Sequence, residues 1–86
     1  MAKKVENSKG FLVLEVSAIE VNECFGGYGI CDYCNSDDRS GYYIAVLNSW
    51  YCPKCYKEWI QRAKRYAGDI HIEERNYNCA CESLGL

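Results

Sequence analysis

The sequence predicts a small α+β domain, and three features of its 86 residues support this fold class. Two segments, one near the start and one in the middle of the chain, are rich in apolar and β-branched residues, as is typical of strands. A later segment has apolar residues at helical spacing. Two Cys-x-x-Cys pairs flank the second strand segment. A chain of this length forms one domain at most and often needs a disulfide or a metal as a staple.

The strands are predicted from runs of apolar residues. Residues 11–16 form the first run and residues 42–47 the second, and a turn after residue 47 predicts a short hairpin. Between the two runs, Ile19 and Val21 alternate with polar residues. This alternation favours a further strand over residues 17–23, although a short helix also fits.

An amphipathic helix is predicted over residues 53–67. Pro53 suits the first helical position, where its missing N–H costs nothing, and Gly68 suits the end. The apolar residues of this segment fall three, four and seven apart on one face, and basic residues take the other. We expect Trp59, Ile60 and Ala63 to pack against the N-terminal strand. Residues 70–73 alternate in polarity, which suggests a short strand.

One domain is expected over residues 11–74, with a flexible lead-in at residues 1–10 and a C-terminal tail at residues 75–86. The chain carries a formal net charge of −2, which argues against a general polyanion binder. The sequence has no secretory signal pattern and no apolar run of membrane-spanning length. We therefore expect a cytoplasmic protein with no membrane partner, in a compartment where cysteines stay reduced.

The two cysteine pairs predict a metal site. They are Cys31 with Cys34 and Cys52 with Cys55. Each pair turns two sulfur atoms toward one point, and two pairs can close a tetrahedral site for one Zn²⁺ per chain. The chain has seven cysteines, so complete internal disulfide pairing is impossible. Paired Cys-x-x-Cys motifs in a reducing compartment indicate metal ligands before disulfides.

The order of these parts resembles the treble-clef zinc finger of GATA-type and LIM-type modules. The resemblance covers residues 28–67. It implies a zinc-stabilised α+β domain in which Cys31 and Cys34 form a zinc knuckle, a β-hairpin follows, and Cys52 and Cys55 bind from the start of a helix, with additional N-terminal strands. Treble clefs serve many unrelated tasks, so the resemblance implies a fold and a metal and leaves the function open.

Two other uses of paired cysteines fit the sequence less well. Rubredoxin-like iron sites also contain Cys-Pro-x-Cys, but they carry glycine after the second cysteine of each pair, where this chain has Asn35 and Tyr56. Thioredoxin-like redox sites need a cis-proline facing the cysteines, and Pro53 is the sole proline. A second zinc site is not expected from the remaining candidate ligands, which are Cys24, His71, Cys79 and Cys81.

We predict a non-catalytic protein-interaction module, acting as an adaptor, subunit or inhibitor. Four cysteine ligands leave zinc no open position for a substrate, so neither an enzyme nor a small-molecule substrate is expected. Tyrosine is favoured at interfaces, and Tyr42 and Tyr43 are the candidate protein contacts. The alternative is nucleic-acid binding through the basic face of the predicted helix, as the resemblance to GATA-type modules implies. Its candidate contacts are Lys54, Lys57, Arg62, Lys64 and Arg65.

Overall fold

The computed structural model describes residues 2–86, which form a four-stranded antiparallel sheet and three α-helices. In chain order the elements are β1 (Lys3–Val5), β2 (Val13–Ser17), α1 (Ala18–Phe25), β3 (Ser40–Ile44), β4 (Ser49–Tyr51), α2 (Pro53–Arg62) and α3 (Ile70–Leu84), with a 3₁₀ turn at Ala67–Asp69 before α3. The α+β class and the hairpin between the cysteine pairs are confirmed. None of the helices in this part of the chain is long and apolar enough to cross a bilayer.

The sheet separates two hydrophobic clusters because successive residues of a strand point to opposite faces. The strand order is β1-β2-β3-β4. On one face, the cross-strand pair Leu14 and Tyr43 belongs to a cluster with residues of α1 and α3. On the other, the next pair, Val13 and Ile44, packs with Trp59 of α2. The expected packing of the N-terminal strand on α2 is therefore confirmed, and the helices cover both faces.

Residues 18–25 form α1, so the strand favoured over residues 17–23 is wrong. Ser17 closes a capping box with Glu20: the Glu20 N–H donates to Ser17 Oγ at 3.2 Å, and the Ser17 N–H donates to Glu20 Oε1 at 3.1 Å. Gly26 ends the helix with a φ of 70°, a conformation that favours glycine. The Ser-x-x-Glu spacing is a helix-start signal, and it decides the structure over the short alternation of Ile19 and Val21.

Replacing Ser17 with alanine is expected to destabilise the protein by about 1 kcal/mol, because it leaves the Glu20 N–H without its acceptor. The measurement is urea unfolding of zinc-loaded protein at a fixed free zinc concentration. Ser8→Ala is a matched control, since Ser8 is exposed in a turn. Equal midpoints for the two variants would contradict the role of the capping box.

Helix α2 ends at Arg62, not near Gly68 as predicted. Ala63 has an extended backbone, with φ −68° and ψ 144°. The Lys9 ammonium donates to the carbonyl oxygens of Gln61 and Ala63 at 3.0 and 2.6 Å, so a residue distant in sequence satisfies carbonyls at the helix end. The basic residues at 64 and 65 consequently lie outside the helix.

Residues 70–84 form a single helix, α3, so the strand over residues 70–73 is wrong. The residues expected as a C-terminal tail are largely helical, and Ala80 and Cys81 are buried in the cluster shared with β2 and β3. The lead-in expected at residues 1–10 contains β1, which pairs with β2. The buried face of α3 begins with Glu73. Because a carboxylate does not count as apolar, the helical spacing of this face is not visible in the hydrophobic pattern of the sequence.

Glu73 ties α3 to two other parts of the chain. Its side chain is only 3% exposed. Oε2 accepts from the Leu12 N–H at 3.0 Å, and Oε1 accepts from Arg65 Nη2 at 3.1 Å. Arg65 also donates to the Gly10 carbonyl and lies over the Phe11 ring. Because the buried carboxylate is paired and hydrogen-bonded, its desolvation is compensated.

Candidate metal centre

The first cysteine pair lies in a tight turn held by backbone hydrogen bonds. The Asn35 N–H donates to the Cys31 carbonyl, and the Cys31 N–H donates to the Ser36 carbonyl, both at 2.9 Å. Two further N–H groups, of Tyr33 and Cys34, point at Cys31 Sγ from 3.4 and 3.5 Å. These donors can stabilise a thiolate at Cys31, as ligand-supporting hydrogen bonds do in metal sites.

The second pair is placed by the start of α2. Cys52 is the N-cap residue, Pro53 follows at the first helical position, and Cys55 lies in the first turn. The sulfur atoms therefore lie near the positive end of the helix dipole, which favours thiolates. The prediction that the second pair opens a helix is confirmed.

A reciprocal pair of contacts joins the first turn to β4. The Asp32 N–H donates to the Trp50 carbonyl and Asp32 Oδ2 accepts from the Trp50 N–H, both at 2.9 Å. The Trp50 indole passes over Gly41, where an added Cβ would lie 2.6 Å from the ring, and its Nε1 donates to the Val16 carbonyl at 3.0 Å. Gly41 thus lets the indole cross the sheet and fix the position of the cysteine turn.

All four cysteines come together. The sulfur atoms of Cys31, Cys34, Cys52 and Cys55 lie within 4.8 Å of one another, and those of Cys34 and Cys52 are 3.8 Å apart. A tetrahedral zinc site with Zn–S bonds of about 2.3 Å requires sulfur separations of about 3.8 Å. The donor set therefore fits one Zn²⁺ per chain, and small movements of the more distant sulfurs would complete the tetrahedron.

The thiols differ in their environments. Cys31, Cys52 and Cys55 are buried, whereas Cys34 is exposed. The hydrogen bond with the Ser36 hydroxyl, whose oxygen lies 3.0 Å from Cys34 Sγ, lowers the pKa of Cys34 to about 6. Burial raises the pKa of Cys55 well above its usual range. Burial thus opposes a thiolate at Cys55, and a bound divalent cation would supply the positive charge that offsets it.

The turn after Cys34 bears on the iron alternative. Asn35 has a φ of 62°, the left-handed conformation that glycine adopts readily and that asparagine also tolerates. The absence of glycine at this position is therefore compatible with a cysteine turn of this kind. Because four thiolates bind either zinc or iron, elemental analysis of purified protein distinguishes the two metals.

The remaining candidate ligands do not form a second cluster. Cys24 and Cys79 are exposed, Cys81 is buried in the core, and His71 is exposed near the start of α3. Across residues 2–86, the four cysteines form the one group of three or more Cys, His, Asp or Glu side chains with metal-binding spacing.

The structure disperses the five basic residues predicted to lie on one helix face. Arg65 contacts Glu73 and Gly10, and the Arg62 guanidinium lies over the Tyr33 ring, 5.4 Å from its centre. Lys64 follows the end of α2. Lys54 and Lys57 are exposed on α2 itself. Helix α2 therefore carries a net charge of +2, from two lysines, Arg62 and Glu58, whereas the whole predicted helix of residues 53–67 would carry +4.

The tyrosines predicted as protein contacts are less accessible than expected. Tyr43 is 6% exposed, and its hydroxyl donates to Asn48 Oδ1 at 2.7 Å. Tyr42 is half-buried and stacks on Tyr56 with ring centres 4.4 Å apart. The accessible tyrosines near the metal centre are Tyr28 and Tyr33, which are 87% and 59% exposed. Their position beside the first cysteine pair is the feature of the sequence that could have identified them as candidate contacts.

Searches for related proteins found no significant match. No family model, no curated protein sequence and no solved structure matched the chain. The cysteine cluster is therefore the feature from which function is inferred.

Proposed function

We propose that this chain is a non-catalytic zinc protein of the treble-clef type that binds another protein. The observation that carries the proposal is the cluster of four cysteine sulfurs. The elements that supply these sulfurs occur in the order expected of a treble clef: a cysteine turn, the β3–β4 hairpin, and a helix whose N-cap and first turn carry the second pair. In this arrangement zinc braces a surface formed by the turn and the hairpin.

The ligand set supports a structural role for the metal. Zinc held by four cysteines has no open position, whereas catalytic zinc has three protein ligands and a water or substrate. Three of the four ligands are buried, which further limits access to the ion. The metal would then act by holding the turn, hairpin and helix together.

The charge distribution favours a protein partner over nucleic acid. Of the five basic residues first assigned to one face, Arg65 pairs with a buried carboxylate and Arg62 lies over an aromatic ring. Lys54 and Lys57 remain on the exposed face of α2, beside Glu58. Nucleic-acid affinity depends on several phosphate contacts made together, and this surface offers few. The exposed Tyr28 and Tyr33, by contrast, are the kind of residues that interfaces use.

The test is affinity capture with immobilised, zinc-loaded protein, with and without nuclease treatment of the host extract. We expect a protein that is retained after nuclease treatment and by a Lys54→Glu/Lys57→Glu variant, and lost with a Tyr28→Ala/Tyr33→Ala variant. Zinc content and the circular dichroism spectrum of each variant confirm that its fold is intact.

Nucleic-acid binding predicts the opposite pattern. Recovery would then depend on nucleic acid, and the charge-reversed variant would lose it. Binding of a labelled duplex would also weaken steeply between 50 and 200 mM salt, roughly by a thousandfold for six phosphate contacts. That result would replace the proposed function.

A further inference from the structure

A cleft of about 450 Å³ opens between α1, α3, the hairpin and the first cysteine turn. This volume falls within the range of ligand-binding clefts, about 300–1,000 Å³. Aromatic side chains contribute much of its wall: Phe25 from α1, Tyr43 from β3, Trp50 from β4, and the exposed Tyr28. No residue of α2 lines it, so it is distinct from the basic helix surface.

The charge of the cleft is one-sided. Among its fifteen lining residues Asp32 is the one charged side chain, and none is lysine or arginine. Asp32 is exposed, and its Oδ2 is held by the Trp50 N–H at 2.9 Å. Its carboxylate is therefore held in a cleft whose lining includes aromatic residues. A cation next to aromatic faces gains both ionic attraction and cation–π attraction.

The lining is held in place by the fold. The Tyr43 hydroxyl donates to Asn48 Oδ1 at 2.7 Å, and Asn76 Nδ2 donates to the Ala45 carbonyl at 2.9 Å. The Trp50 indole is anchored on the Val16 carbonyl. Because these side chains are already ordered, a ligand need not order them on binding, which reduces the entropic cost of association.

We propose that this cleft binds a lysine or arginine side chain, flanked by apolar residues, from an extended segment of the partner protein. The assignment rests on the proposed function, because it names the surface and the partner chemistry of that interaction. Asp32 pairs with the cationic group, the exposed Tyr28 flanks it, and the half-buried Phe25 contacts a neighbouring apolar residue.

Two cysteines in the cleft can report on ligand binding. Cys24 and Cys79 both line it and are exposed, whereas Cys81 is buried in the core. A bound peptide should slow alkylation of Cys24 and Cys79 by iodoacetamide, and mass spectrometry measures each site separately. The zinc-loaded protein is used, so that the metal protects the four ligand cysteines, and Cys81 reports on any loss of the fold.

The probes are acetylated pentapeptide amides with a central lysine or arginine between two variable apolar residues, and matched peptides with central norleucine or glutamate. We expect at least one basic peptide to protect both cysteines while its norleucine and glutamate counterparts do not. Asp32→Asn, which keeps an acceptor for the Trp50 N–H, should weaken that binding about tenfold. Asp37→Asn is the matched control, because Asp37 is exposed and does not line the cleft, and it should leave binding unchanged.

Two results would overturn the assignment. One is that no basic peptide in the panel protects Cys24 or Cys79. The other is that norleucine peptides protect equally well and Asp32→Asn has no effect. A partner protein could instead be captured after nuclease treatment and bind the Asp32→Asn variant as tightly as the unmodified protein. That result would leave the proposed function standing and place the interface outside the cleft.

Discussion

Removing zinc is expected to unfold the part of the protein that runs from the cysteine turn through α2. The buried cluster around the sulfurs consists of Cys31, Cys52 and Cys55 with Tyr51 packed against it, so the cysteine turn and the first turn of α2 have little apolar packing to join them once the ion leaves. Structural zinc contributes roughly 10–16 kcal/mol in small finger peptides. A domain of this size has a total stability of only about 5 kcal/mol or somewhat more.

The measurement is chelator titration of the reduced protein, followed by circular dichroism and by NMR of the backbone amides. Cys52→Ser should reproduce the metal-free state, whereas Cys24→Ser, at an exposed cysteine outside the cluster, should behave as the unmodified protein. Metal-free protein that keeps its amide dispersion and a cooperative unfolding transition would contradict this prediction and the structural role of zinc.

Replacing Glu73 with alanine is expected to cost about 3 kcal/mol of unfolding free energy. The change leaves the Leu12 N–H without its acceptor and removes the partner of Arg65, and each loss is costly in a buried setting. Glu73→Gln should cost less, because an amide oxygen can still accept from Leu12. Urea unfolding at fixed free zinc gives these values.

Glu74→Ala is the matched control, since Glu74 is the exposed neighbour on the same helix. A double-mutant cycle with Arg65→Met separates the ion pair from the backbone hydrogen bond. The prediction is contradicted if Glu73→Ala and Glu74→Ala unfold at the same urea concentration.

The metal centre could be predicted from sequence because its determinants are local. The spacing within each cysteine pair fixes the direction of two sulfurs, and Pro53 marks where α2 begins. The hairpin between the pairs follows from a β-rich run and a turn. These features need no knowledge of the remaining chain. A protein partner was likewise predicted from sequence, and the structure adds to that prediction only what Arg62 and Arg65 contact.

The helices were harder to predict for two different reasons. The start of α1 is encoded locally, in the capping box of Ser17 and Glu20, but the alternation of Ile19 and Val21 in the same segment favours a strand. The end of α2 is set by Lys9, more than fifty residues away, and α3 packs through a stripe that begins with Glu73. No local pattern reveals a lysine that caps a distant helix or a carboxylate that belongs to a core.

The two ends of the described chain share one buried cluster, since Ala2 and Cys81 both belong to it. A flexible linker, which spans roughly 17 Å on average at about ten residues, would be lengthened as needed to join residue 86 to residue 2, and the chain would be reopened at the exposed Gly68. Such a circular permutant would keep all four cysteines in one continuous stretch. Ends that both rest on one cluster also suit insertion into a surface loop of a host enzyme, where zinc-dependent folding of the insert would make the host's activity report on free zinc.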